Sequence, residues 1–109
     1  MDAELKAKWV KALRSGEYEQ TSGALRDKYR GGCAYCCLGV LAEVLGADWD
    51  RGVMSGGEFE TISKEDEDLL STELLALVCL TEEQQSLLAK MNDEGDGFPR
   101  IADYIEANL

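Results

Sequence analysis

The chain contains no histidine, and that absence removes more chemistry than any residue present adds. Nucleophile pairs in which an imidazole activates serine or cysteine are excluded. So are zinc sites built on imidazole ligands. Carboxylate, lysine and tyrosine remain for acid–base work, so enzymatic turnover is disfavoured but stays open. Proline is nearly as scarce, with Pro99 its only instance. No apolar run approaches the ~20 residues that cross a bilayer. The amphipathic N-terminus lacks the apolar centre of a secretion signal, which points to a cytoplasmic location. Phosphate-cradling glycine loops of the two common nucleotide-binding kinds are also missing.

What is present is one domain's worth of chain, residues 1–109, with a formal charge of −11. That charge is unevenly spread. Residues 1–54 carry eight basic and eight acidic side chains, whereas residues 55–109 carry three and fourteen. An acidic half repels phosphate backbones, so direct nucleic-acid binding is disfavoured. It suits a basic partner surface, and it also serves simply as a solvated face.

The patterning predicts an α+β domain: an N-terminal helix, a β-hairpin, a core helix, a variable β region and a C-terminal helical segment. Asp2 caps a helix over 3–14, with Leu5, Trp9 and Leu13 on its buried stripe and Ser15-Gly16 at its end. A strand is expected over 19–26, a loop over 27–32 and a returning strand over 33–37. A short apolar helix follows over 38–45. Residues 47–61 read as irregular, with short strands near 51–54 and 58–62, and Ser63 begins an exposed helical turn. A helix over 73–79 buries Leu74, Leu75, Leu77 and Val78. Thr81 and Gln84 form a capping box for a helix reaching about Met91, and a last helix runs over 98–109.

Four cysteines invite a metal or redox reading. Cys33 and Cys36 have the C-x-x-C spacing, but Cys36 and Cys37 are adjacent and point to opposite faces of a strand. No metal site is therefore assigned, and Cys37 and Cys79 are expected to be small buried side chains. Cys36 lies close to a helix N-terminus, where a thiol pKa can fall. Residues 92–103 imitate a calcium loop, with Asn92, Glu94 and Asp96 at ligand positions and Gly97 in the turn. Asn in the first position, the short Asp103 in the last and Pro99 between them favour a plain acidic connection.

The candidate site lies between residues 14 and 35, where cations interleave with aromatics. Arg14, Arg26 and Arg30 offer forked donors, Tyr18 and Tyr35 offer flat faces, and Gln20 and Cys36 complete the set. Such a group fits a nucleotide-like small ligand or an acidic patch on a protein. No cofactor is implied.

The segments Trp9-Val-Lys-Ala-Leu-Arg14-Ser-Gly16, Tyr18-Glu-Gln20, Gly23-Ala-Leu-Arg26, Tyr35-Cys-Cys-Leu-Gly-Val-Leu41, Met91-Asn-Asp-Glu-Gly95 and the Phe98 to Leu109 ending together resemble a widespread set of small tailed-bacteriophage proteins. The resemblance covers both ends of the chain and skips the middle. It implies no catalytic residues. It does imply a phage or prophage origin and action in the host bacterial cytoplasm, where small acidic phage proteins bind host factors, defence systems among them. The expected function is accordingly an accessory binding protein, without membrane insertion and with self-association left open. The alternatives are a cysteine-dependent metal or redox module and a histidine-independent enzyme acting on a nucleotide.

Overall fold

The computed structural model describes residues 1–49, 53–54 and 69–109. The expected strand over 58–62 and the helix start at Ser63 lie outside them. The fold is α+β. Five helices, α1 (Ala3–Arg14), α2 (Cys37–Val44), α3 (Thr72–Val78), α4 (Glu82–Asp93) and α5 (Phe98–Asn108), surround a small sheet of β1 (Glu19–Gln20), β2 (Arg26–Tyr29) and β3 (Gly32–Tyr35). A second pair, β4 (Ala47–Asp48) and β5 (Val53–Met54), is antiparallel.

Helix α1 forms where the sequence places it. The Asp2 carboxylate accepts from the Leu5 amide at 2.9 Å. Trp9, Val10 and Leu13 are buried. Gly16 takes the left-handed φ of +76° that a side chain would strain. The capping box on α4 is complete in both directions. Helix α1 packs most extensively against α5 and then against α2, so the two ends of the chain share one core. Helix α2 runs through its centre, with Cys37, Leu38, Val40, Leu41 and Ala42 all fully buried. Its apolar character on every side follows from that position.

The hairpin departs from its expected register. Residues 26–29, expected to begin a loop, form β2, and Arg30-Gly31 make the turn into β3. The polar string Asp27-Lys28-Tyr29 lacks the alternation of a half-buried strand because β2 is an edge whose side chains past Arg26 are exposed. The expected long first strand shrinks to β1, which pairs parallel to β3.

Two further expectations fail on α3. The helix ends at Val78, and Cys79 turns left-handed at φ 56°, which lifts its thiol to the exposed surface. Leu77, expected inside, is 42% exposed. The helix phase that buries Leu74, Leu75 and Val78 turns Leu77 outward.

Candidate functional site

The residues expected to form one site divide into three groups. The first converges on the N-terminus of α2. Gln20 donates through Nε2 to Asn92 Oδ1 (2.9 Å) and to the Asp96 carbonyl (2.7 Å), and its Oε1 accepts from the Phe98 amide (3.2 Å). Asn92 is buried, accepts from the Cys37 amide at 3.2 Å and donates to the Thr21 carbonyl at 2.7 Å. The Trp9 indole N–H donates to the Cys37 carbonyl at 3.0 Å. Among the described residues, no buried side-chain nitrogen or oxygen lacks a partner. Every polar atom of Gln20 is thus committed to holding the α4–α5 turn against β1, and Gln20 is a structural residue rather than an open ligand contact. The same geometry ends the calcium-loop resemblance, because Asn92 turns inward.

Gly39 shows why this node requires a glycine in α2. A Cβ there would lie 1.8 Å from the Leu25 carbonyl oxygen and 2.7 Å from its carbon. That carbonyl accepts from the Cys36 amide at 3.2 Å, so the loop before β2 rests directly on the first turn of α2.

Cys36 caps α2, its sulfur accepting from the Gly39 amide at 3.4 Å. The helix N-terminus was expected to lower its pKa. Burial, the larger influence, raises it instead, against the lowering by backbone N–H groups. Burial raises Cys37 well above the ordinary thiol value. Both thiols are held protonated, which is the opposite of an activated nucleophile. Among the described residues no group of three or more cysteine and carboxylate side chains is placed to hold a metal.

Arg14 stands apart from both the node and the hairpin. Its Nη1 donates to Glu106 and its Nη2 to Asp103, each at 2.7 Å, tying α1 to α5. Those two bonds, Asp103 first, raise its pKa. Arg30 is exposed at the hairpin turn. Neither joins the remaining candidates.

The third group does assemble. Arg26 and Tyr35 are direct cross-strand partners in the β2–β3 pair and so share a face. Tyr18 meets Tyr35 edge-on, with ring centroids 5.4 Å apart and planes at 84°. Trp49 lies on the other side of Tyr35 at 6.5 Å. The Arg26 guanidinium sits 5.1 Å from the Trp49 ring centre, within cation–π range. The Trp49 indole donates to Glu43 at 2.8 Å. All four of these aromatic and arginine side chains are half-buried. Desolvation first, then Glu43, raises the pKa of both Tyr18 and Tyr35. Trp49 was missed in the sequence because its neighbours read as irregular, and only its residue type hinted at a surface role. Tyr29, on the opposite face of β2, donates to Glu19.

The family described as a domain of unknown function (DUF8296) matches residues 1–69, and the chain belongs to it. No curated protein and no solved structure matches the chain significantly. The matched segment includes α1, the hairpin, α2 and all four members of the aromatic cluster.

Proposed function

From that family membership we propose that the protein is a phage-encoded accessory binding protein that acts in the host cytoplasm and engages a host protein through the Tyr18–Tyr35–Trp49–Arg26 face. The observation that carries this reading is the self-supporting stack of three aromatics and one arginine, half-exposed beside a sheet edge. Tyrosine, tryptophan and arginine are the residue types that anchor protein interfaces, because each presents a large rigid area with a polar tip. Catalysis is not supported by the same geometry. The thiols are held protonated by burial, and the polar groups of Gln20 and Arg14 are engaged within the fold.

A protein partner fits this face better than a nucleotide-like ligand does. One face of the Trp49 ring already carries the Arg26 guanidinium, so a base stacking there has to displace it. The acidic second half of the chain adds long-range steering towards a basic partner and away from nucleic acid.

The test is affinity capture from bacterial lysate with the native protein and a Trp49→Ala/Arg26→Ala variant, followed by binding measurements on the purified partner. The expected result is a host protein retained by the native chain and lost by the variant. Identical retention by both, or a nucleotide-induced rise in melting temperature that the variant loses, overturns the reading.

A further inference from the structure

A groove of about 660 Å³ runs along the outer face of α1, away from the aromatic cluster. Ala3, Ala7 and Val10 form its apolar floor, Lys6 and Lys11 line it, and Glu106 of α5 contributes to its wall. The floor residues recur at helical spacing, so they form a straight strip on one side of a helix whose other side is already buried in the core. Ala3 and Ala7 are exposed, although α1 is otherwise an amphipathic helix seated in the domain.

From the charges beside this strip we infer that the occupant of the groove is α1 of a second copy, packed antiparallel across a twofold axis near Ala7. Glu4 and Lys11 are seven residues apart, two helical turns, and therefore lie on the same flank of the strip. Ala7 stands close to midway between them. A twofold axis there sets Glu4 against the partner's Lys11 and Lys11 against the partner's Glu4, so the contact is self-complementary. The intramolecular competitor is weak: Lys8 approaches Glu4 only to 3.8 Å, with both side chains largely exposed. The small floor residues allow the two helix backbones to approach closely. A net charge of −11 on each copy opposes association, and one pair of 12-residue helices buries little area. The dimer is therefore weak and concentration-dependent.

This inference is independent of the proposed host interaction, and sedimentation equilibrium over a wide concentration range tests it on the purified chain alone. The expected outcome is a reversible monomer–dimer equilibrium. Ala7→Arg, which places a bulky charge at the axis, should abolish it. Glu4→Lys and Lys11→Glu should each weaken it about tenfold, since each turns two attractive contacts into repulsive ones. The double variant should restore native association. All these side chains except the buried Val10 floor are solvent-facing, and a circular-dichroism melt verifies that each variant folds. A chain that stays monomeric throughout overturns the inference. So does association that survives Ala7→Arg, that the charge swap fails to rescue, or that is lost instead on changing the exposed Leu77 or Leu87 to Glu. A monomer whose groove binds an acidic helical peptide would mark the strip as a site for a different protein.

Discussion

Tyr35 and Cys37 are two residues apart, yet their surroundings could hardly differ more. Around Cys37, Trp9, Gln20 and Asn92 spend every polar atom on one another or on backbone. Around Tyr35, contacts are ring edges and a stacked guanidinium, and water reaches all the members. The first arrangement fixes geometry, and its loss leaves desolvated groups without partners. The second leaves area and polar tips available to something outside the chain. The residues behind the phage-protein resemblance fall in both regions, so a shared sequence pattern here reports a folding node as much as a binding face.

The sharpest way to break this contrast is Gly39→Ala. The added methyl collides with the Leu25 backbone, which has no flexible side chain to yield. Loss of at least about 3 kcal/mol, or failure to fold, is expected in urea titrations. Asn92→Ala should follow at about 3 kcal/mol, because the Cys37 amide, the Gln20 amide and the Thr21 carbonyl all lose a partner. Trp49→Ala should cost only about 1 kcal/mol of stability while removing partner binding. If Trp49→Ala proves as destabilising as Asn92→Ala, the aromatic face is part of the core and the contrast fails.

Alkali provides a test of both regions together. Cys36 and Cys37 in the node and Tyr18 and Tyr35 on the face all have pKa values raised by burial from ordinary values of 9.0 and 10.0. A group whose folded pKa is raised leaves stability intact below its unfolded pKa and erodes it above, as the unfolded chain ionises first. With no histidine to titrate, the thiols and phenols should leave stability level through neutral pH and lower it progressively above about pH 9. Urea titrations between pH 7 and 11 measure this, and Cys37→Ala should flatten part of the decline. The smallest effect is expected for Arg14→Gln. Its exposed fork to Asp103 and Glu106 should be hard to detect in moderate salt.

The helices were legible because their signals are local. Asp2, the Leu5-Trp9-Leu13 spacing and Gly16 set the bounds of α1, and Thr81 with Gln84 set the start of α4. The hairpin was misread because its register depends on the partner strand, and an outward-facing edge such as Asp27-Lys28-Tyr29 carries no alternation to read. Cys79 was misplaced by one residue of helix end, enough to carry a thiol from core to surface. In the site, the Arg26–Tyr35 pairing follows from strand geometry, but nothing in the residues 14–35 announces Trp49. Gln20 and Arg14 carried the right chemistry for ligands. Only tertiary structure shows that residues more than 70 positions away had already claimed them.

That last arrangement constrains the order of events during synthesis. Residue 20 cannot complete its bonds until residue 98 has left the ribosome, and α1 waits equally for α5. The segment recognised as the family domain ends at residue 69, short of the helices that cover it. Any relative carrying that segment must supply a replacement for them, from its own tail or from another molecule, before its tryptophan can be shielded from water.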